Sequence, residues 1–222
     1  GISFISHAFL NPGDKVLVPN PGYPTYTSAT YLAHAEPIYY NLDESNNWLP
    51  DLDSISDNIL DEIKLMWINY PNMPTGAEGN IAAFEHIIAK AKKHKFLICN
   101  DNPYSLILNH EQAMSIFHAK GAKDVCIELN SLSKTFNMAG WRVGMVSGNA
   151  ILIDAILKVK TKSSVGILKT LSIIQPTAIQ PMVPSTRIEG NSLLGSFIWR
   201  NATEFANASV GAYISEYNKT IQ

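Results

Sequence analysis

The sequence is poor in cysteine, in net charge and in long apolar runs. Its 222 residues include two cysteines, and 17 Lys and Arg against 19 Asp and Glu leave a formal net charge of −2. This balance supplies no basic face for nucleic acid, and no apolar run approaches the roughly 18 residues that span a bilayer. We therefore expect neither nucleic acid nor a membrane among the partners of this protein.

The few cysteines and histidines also argue against disulfides and metals. Cys99 and Cys126 each lie in an apolar run, where a buried free thiol is the usual state. Two such residues do not make a disulfide framework and favour a reducing, cytoplasmic location. The six histidines are scattered, and the sequence contains neither HExxH nor CxxC, so no metal site is predicted.

The start of the sequence indicates a longer natural chain. It opens at Gly1 inside a helical pattern, and residues 1–10 lack the basic start and the small-residue cleavage site of a signal peptide. We expect the natural N-terminus to lie upstream. The length itself is sufficient for one large domain or two small ones with a real core.

Apolar runs alternate with helical patterns up to about residue 162. Strands are predicted at 15–19, 36–42, 64–70, 96–100, 125–129 and 142–147. Helices are predicted at 24–34, 81–94 and 149–160. Several of these strands are apolar on both faces, which is typical of a mainly parallel sheet between two helical layers. The predicted fold is therefore a three-layer α/β/α domain.

Polar and aromatic side chains follow three successive predicted strands. In a sheet of this kind, ligands bind beyond the carboxyl ends of the strands. The side chains found there are Asn72, Asp101, Tyr104, Ser131, Lys134 and Arg142. Together they offer an amide, an acid with a phenol, and a cationic cluster to one anionic aromatic ligand.

Each of these residues also has a simpler interpretation. Asn72 stands between prolines and can be a turn former, and Asp101 can cap a following helix. Ser131 can be a loop hydroxyl and Lys134 a solvated charge. Only their shared position at the strand ends favours a common site.

Pyridoxal 5′-phosphate requires this combination of groups. A lysine holds the cofactor as a Schiff base, and an acid keeps the pyridine nitrogen protonated so that the ring can act as an electron sink. An arginine fork and hydroxyls suit its phosphate, and an aromatic ring completes the seat.

Four segments resemble the class I/II pyridoxal-phosphate-dependent aminotransferases of fold type I. Within that family they are most similar to aspartate and LL-diaminopimelate aminotransferase-type enzymes. The segments are NPGDKVLVPNPGYPTY (11–26), NYPNMPTGA (69–77), ICNDNPYS (98–105) and SLSKTFNMAGWRVG (131–144). They cover about residues 1–162 in the family's order, and this range is expected to form the cofactor-binding large domain.

The resemblance implies a role for each candidate. Lys134 forms the Schiff base and then moves the proton of the transfer reaction, with Asp101 at the pyridine nitrogen and Tyr104 donating to the ring oxygen. Ser131 and Arg142 bind the phosphate.

Two further contacts follow from the resemblance. Tyr23 is expected to stack on the ring. The family's Asn that contacts the ring oxygen is replaced here by Met73, and Asn72, one residue earlier, is the substitute that the sequence offers.

The resemblance implies an enzyme that exchanges an amino group between an amino acid and a 2-oxo acid. The family's active site forms at a homodimer interface, so a homodimer is expected. A carbon–sulfur lyase of the same fold and a non-catalytic sensing domain that binds the cofactor are the alternatives.

Two features lie outside this scheme. Ser131-x-x-Lys134 also matches the S-x-x-K of penicillin-binding proteins, and 56–58 spells S-D-N, but the order is reversed and no K-T-G follows. The segment 56–58 is better interpreted as the start of a surface helix. Residues 163–222 show no recognisable pattern, and neither Arg187 nor Arg200 is assigned a role.

Overall fold

The computed structural model describes residues 1–107 and 113–163 and the backbone of 173–174. The strands are β1 (Lys15–Asn20), β2 (Glu36–Asn41), β3 (Ile63–Ile68), β4 (Leu97–Asp101), β5 (Cys126–Ser131), β6 (Gly144–Gly148) and β7 (Ile173–Ile174). The α-helices are α1 (Ile2–Phe9), α2 (Pro24–Leu32), α3 (Asp57–Leu60), α4 (Ile81–His94), α5 (Ala122–Val125), α6 (Leu132–Thr135) and α7 (Ala150–Ser163). Short 3₁₀ helices cover Glu44–Asn46, Ile116–His118 and Ala139–Trp141.

The strands form one sheet in the order β2-β1-β3-β4-β5-β6-β7. Every neighbouring pair is parallel except β5 and β6, which run antiparallel with Ser131 opposite Gly144. The predicted mainly parallel sheet is confirmed. The carboxyl ends of the parallel strands β1, β3, β4 and β5 lie on the same side of the sheet.

Helices cover both faces of the sheet, so the three-layer arrangement is confirmed. On one face, which we call the α4-side core, the buried side chains include Met66, Phe84, Ile87, Ile98 and Cys126. On the other, the α1-side core, they include Ile5, Tyr26, Trp67, Cys99 and Ile156. Alternate residues of β3 and β4 enter opposite cores, as the two-residue period of a strand requires.

Helix α4 shows how the sequence sets an element. Its N-cap, Asn80, accepts a hydrogen bond from the Ala83 amide at 2.8 Å, and the helix ends where Lys95 takes a left-handed φ of 64°. Phe84 and Ile87, on its inner stripe, are fully buried, which contributes about 1.5–3 kcal/mol for each side chain. The observed bounds are those that the sequence predicts.

Two predicted strands have different bounds in the structure. The strand predicted at 64–70 ends at Ile68, because the Tyr70 amide donates to the Asn100 side chain instead of to a neighbouring strand. The strand predicted at 142–147 begins at Gly144, because Arg142 takes a left-handed φ of 53° after a 3₁₀ turn. The other predicted elements agree with the structure to within three residues at either end.

Several minor expectations fall on described residues. Cys99 and Cys126 are free, buried thiols. Ser56 is the N-cap of α3, as expected for a surface helix start. Within the part of the chain that the structure describes, no helix is both long and apolar enough to cross a membrane. The tail 163–222, with Arg187 and Arg200, lies outside the described residues apart from the backbone of residue 163 and of β7.

Candidate functional site

The segments that follow β3, β4 and β5 are joined by side-chain amides. The Asn69 Nδ2 donates to the Asp101 carbonyl oxygen at 2.6 Å, and the Asn130 Nδ2 donates to the Asn102 carbonyl oxygen at 2.8 Å. Both amides are buried, so each contact is shielded from water. These contacts hold the three strand ends in one fixed arrangement.

Asp101 is the last residue of β4, and its carboxylate is fixed by a tyrosine. Its Oδ2 accepts a hydrogen bond from the Tyr26 hydroxyl at 2.8 Å. Residues 102–107 form turns, so Asp101 does not cap a helix directly after it. Among the described residues, its second oxygen, Oδ1, has no hydrogen-bond partner.

The pKa of Asp101 reflects two opposing influences. Burial raises the pKa of this carboxyl above its usual range, because ionisation in a low dielectric is unfavourable. The Tyr26 hydrogen bond acts in the opposite direction. Asp101 is thus a carboxylate whose ionised form depends on its partners.

Tyr26 is held rigidly on α2 and is fully buried. Its ring stacks on Trp67 of β3 with centroids 5.1 Å apart and an interplanar angle of 10°. Sequence reasoning did not single out Tyr26. The local sequence carries no signal of its contact with Asp101, because the two residues are 75 positions apart.

Two further tyrosines lie near this carboxylate. Tyr23 precedes α2, is 41% exposed, and meets the Tyr26 ring edge-on with centroids 5.7 Å apart. Partial burial raises the pKa of the Tyr104 phenol, and the charges of Asp101 and Tyr23 add to this effect. Tyr104 therefore remains a protonated donor within electrostatic range of Asp101.

Asn72 forms a turn and keeps a spare donor. Its Oδ1 accepts hydrogen bonds from the amide and the hydroxyl of Thr75 at 3.3 and 2.8 Å. Its Nδ2 is buried and has no partner. The neighbouring Met73 is partly buried, and its amide donates to the Asn69 Oδ1 at 2.7 Å.

Lys134 projects from the four-residue helix α6, directly after β5. It is exposed, and within the described ranges its ammonium group has no hydrogen-bond or ion-pair partner. Ser131 caps the same helix, because its hydroxyl accepts a 3.2 Å hydrogen bond from the Ser133 amide. This contact matches the simpler interpretation of Ser131 as a loop hydroxyl. The Thr135 hydroxyl donates to the Pro103 carbonyl at 3.4 Å and links α6 to the segment after Asp101.

Arg142 lies at the far end of the loop that connects β5 and β6. Its Nη1 donates to the Ala139 carbonyl at 3.1 Å, and the guanidinium group is otherwise exposed.

The structure brings Tyr23, Asp101 and Tyr104 together around Tyr26, and it joins the loop that carries Lys134 to them through Thr135. No hydrogen bond or ion pair links Ser131, Lys134 or Arg142 to Asp101 within the described residues. The described residues also contain no group of three or more potential metal ligands.

The donor set fits pyridoxal phosphate. Within the described residues it supplies a half-buried carboxylate with one free oxygen, an amine without a hydrogen-bond or ion-pair partner and a largely free guanidinium group. The orphaned Nδ2 of Asn72 adds a buried donor that a ligand acceptor can satisfy.

Comparisons with known proteins agree with this chemistry. The chain is 44% identical over 180 residues to the LL-diaminopimelate aminotransferase of Dehalococcoides mccartyi, which spans 81% of this chain and 46% of the relative. It is 46% identical over 167 residues to the enzyme of the same name from Aquifex aeolicus, with 75% and 43% covered. The chain thus spans less than half the length of these curated relatives.

Solved structures share the fold. Substrate-bound BacF from Bacillus subtilis matches with a TM-score of 0.71 and 41% identity, over 73% of this chain and 41% of that one. A probable N-succinyldiaminopimelate aminotransferase from Thermus thermophilus matches with a TM-score of 0.69 and 33% identity, over 72% and 43%.

The family model for aminotransferase class I and II matches residues 1–185, which is most of the sequence and extends beyond residue 162, where the recognisable pattern ends. The order of the strands, the residues at their carboxyl ends and this match agree. The chain belongs to the class I and II aminotransferases.

Proposed function

We propose that this chain carries the pyridoxal-phosphate site of an enzyme that transfers an amino group between an amino acid and a 2-oxo acid. One observation carries the proposal: Asp101, a half-buried carboxylate with a free oxygen, ends β4, and Lys134, an amine without a hydrogen-bond or ion-pair partner among the described residues, follows the adjacent parallel strand β5. Membership of the family and the names of the relatives support it.

Each side chain has one task in this proposal. When bound, the cofactor supplies an electron sink for the substrate's amino carbon. Asp101 accepts a hydrogen bond from the protonated ring nitrogen, and Tyr104 donates to the ring oxygen. Lys134 would hold the cofactor covalently, and its amine would be the group that moves a proton to and from the substrate.

The remaining contacts bind and orient the cofactor. Arg142 and the Ser131 hydroxyl bind the phosphate, for which a guanidinium fork is well suited. Tyr23, whose ring is partly exposed, lies against the ring face. Asn72 directs its unpartnered Nδ2 to a ring substituent, in place of the amide that Met73 lacks.

The first substrate pair to test is LL-diaminopimelate with 2-oxoglutarate, because relatives with 41–46% identity are named LL-diaminopimelate aminotransferase. We further propose a homodimer in a cytoplasmic location, with residues 1–162 forming the large domain. Removal of the residues beyond about 165, followed by thermal unfolding, tests that boundary. An unchanged transition argues against a folded role for the tail.

Cofactor attachment is the decisive experiment. The purified chain is titrated with pyridoxal phosphate, followed by its visible absorbance, reduced with borohydride and mapped by peptide mass. We expect the label on Lys134 and its loss in Lys134→Ala. Lys64→Ala, which removes an exposed lysine from β3, should leave labelling unchanged. A folded chain that forms no band, or a label elsewhere, contradicts the proposal.

The same preparation distinguishes the alternatives. Pyruvate release from a cysteine-type substrate, without need for an oxo-acid acceptor, indicates a carbon–sulfur lyase. Labelling of Lys134 without turnover of any substrate indicates a domain that binds the cofactor and does not catalyse.

A further inference from the structure

We propose that Tyr26 is a positioning residue for the cofactor site: its hydroxyl holds one carboxylate oxygen of Asp101 and leaves the other oxygen for the ligand. The inference rests on the proposed function, because the ligand in question is the protonated ring nitrogen of pyridoxal phosphate. Neither the family match nor the names of the relatives assigns this role.

The contact is made by a side chain with little freedom. Tyr26 is fully buried, its ring stacks on Trp67, and its carbonyl accepts a hydrogen bond from the Thr30 hydroxyl at 2.8 Å. Its hydroxyl lies 2.8 Å from the Asp101 Oδ2. A donor on a ring that is both buried and stacked can determine the orientation of its acceptor.

Asp101 needs such a constraint. Its backbone is fixed by the ladder of β4 and by the Asn69 amide, but the terminal torsion of a carboxylate is broad and has no strong intrinsic preference. Among the described residues, Tyr26 supplies the side-chain hydrogen bond that restricts this torsion. With Oδ2 occupied, Oδ1 is the oxygen that remains for a ligand.

The charges around Asp101 make the same contact electrostatically important. Burial opposes ionisation of Asp101, whereas the Tyr26 hydrogen bond favours it. Tyr104 and Cys99 also interact electrostatically with this carboxylate. Burial and the Asp101 charge raise the pKa of the Tyr26 phenol well above its ordinary value, so Tyr26 remains a donor.

The test compares two buried tyrosines on opposite faces of the sheet. Tyr26→Phe removes the hydroxyl that faces Asp101 and retains the stacked ring. Tyr40→Phe is the matched control, because the Tyr40 hydroxyl is also buried and donates to the Trp67 carbonyl at 2.7 Å. Tyr40 lies in the α4-side core, away from Asp101.

Two readouts are measured on the full chain. Without cofactor, carboxyl-¹³C aspartate labelling follows the titration of Asp101, whose signal is identified by its loss in Asp101→Asn. We expect a higher midpoint in Tyr26→Phe and an unchanged one in Tyr40→Phe. With pyridoxal phosphate, we expect the Kd to rise roughly tenfold in Tyr26→Phe alone, the effect of one hydrogen bond to a charged group.

Each outcome is decisive. An unchanged Asp101 midpoint in Tyr26→Phe overturns the proposal, as does a raised midpoint with an unchanged Kd, since the hydroxyl then has no bearing on the ligand. Equal effects of the two variants reduce Tyr26 to a packing role and also overturn it. Failure of the wild-type chain to bind the cofactor refutes the proposed function, while the cofactor-free titration separately reports whether Tyr26 controls Asp101.

A second variant covers the case in which Tyr26→Phe does not fold. Site-specific replacement of Tyr26 by a fluorinated tyrosine keeps the ring and the hydroxyl but makes the hydroxyl a stronger donor. The Asp101 midpoint should then fall. A midpoint that stays in place contradicts the proposal as directly as the first experiment.

Discussion

The side-chain amide of Asn69 bridges two elements of the site: its Nδ2 donates to the Asp101 carbonyl at 2.6 Å, and its Oδ1 accepts from the Met73 amide at 2.7 Å. One buried residue therefore fixes both the end of β4 and the turn that presents Asn72. The site depends on this link although Asn69 itself carries none of the proposed chemistry.

Replacement of Asn69 by Ala should lower the free energy of unfolding by about 1–3 kcal/mol, because two partly buried backbone groups, the Asp101 carbonyl and the Met73 amide, lose their partners. It should also weaken pyridoxal phosphate binding. Denaturant unfolding and cofactor titration measure the two effects. Asn20→Ala, which removes an exposed Asn20–Asn41 hydrogen bond, should change stability by less than about 0.5 kcal/mol. Equal losses in both variants would contradict the bridging role.

Replacement of Asp101 by Asn should stabilise the cofactor-free chain and abolish tight cofactor binding. Folding raises the pKa of this carboxyl, so its ionised form costs stability at neutral pH, and an uncharged amide removes that cost. The expected gain is on the order of 1 kcal/mol, and Tyr26 can still donate to the amide oxygen.

Urea unfolding at pH 7 with and without pyridoxal phosphate measures both parts of this prediction. The difference between the cofactor-free Asp101→Asn and wild-type chains should shrink as the pH falls, since wild-type Asp101 is then protonated. A loss of stability at pH 7 would argue that the charge of Asp101 is fully compensated by its surroundings.

Glu128 is a fully buried acid whose replacement should be costly. Its carboxylate accepts hydrogen bonds from Asn100, from the Ser115 hydroxyl and from the Ile116 amide, between 2.8 and 3.0 Å. Glu128→Ala leaves these donors buried and unpaired, with an expected loss of about 3 kcal/mol in unfolding free energy. Glu36→Ala, at the exposed start of β2, is the control and should change little. A loss of less than about 1 kcal/mol for Glu128→Ala would show that water replaces the carboxylate.

Ion pairs link α4 to Asp57 of α3 and to Asp53, which precedes α3, and they should make the stability of the fold depend on pH. Hydrogen bonding to Lys93 lowers the pKa of Asp57, and hydrogen bonding to Lys90 lowers that of Asp53. Such groups stabilise the fold above their unfolded pKa near 4, and the contribution is lost as the pH falls through the lower folded value.

Asp57→Asn should therefore lower stability slightly at pH 7 and not at pH 2, where wild-type Asp57 is protonated. The measurement is urea unfolding at the two pH values, with Glu78→Gln as an exposed control. Because the pair is on the surface, added salt should reduce the effect at pH 7. An effect that persists at pH 2 would indicate a packing role for Asp57.

The sequence predicted α4 and most strands because their signals are local. Asn80, the Phe84–Ile88 stripe and the basic last turn specify α4 without reference to the remainder of the chain. No local pattern of this kind predicted that β6 runs antiparallel to β5. The connection from β5 contains the four-residue helix α6, about 6 Å long, which is too short to return along a strand of about 20 Å.

The site was predicted to a similar extent. Asp101 ends β4, and Tyr104 and Lys134 each lie three residues beyond the end of a strand. Their approximate location could therefore be inferred from the predicted strands. The role of Tyr26 could not, because its contact with Asp101 spans 75 residues and depends on how α2 packs on β3 and β4. Asn69 was missed for the same reason, since its partners become visible only once β3 and β4 are in register.

The register of β4 and β5 has a practical consequence. Cys126 lies opposite Ile98, one step out of line with Cys99, so the two thiols enter separate cores. Burial raises the pKa of both, and the folded chain should resist alkylation at each. A pulse of alkylating reagent during unfolding then reports on each helical layer separately, through Cys126 for the layer that contains α4 and through Cys99 for the layer that contains α1 and Tyr26. Comparison of the alkylation rates at the two cysteines therefore shows whether the two helical layers separate from the sheet together or in sequence.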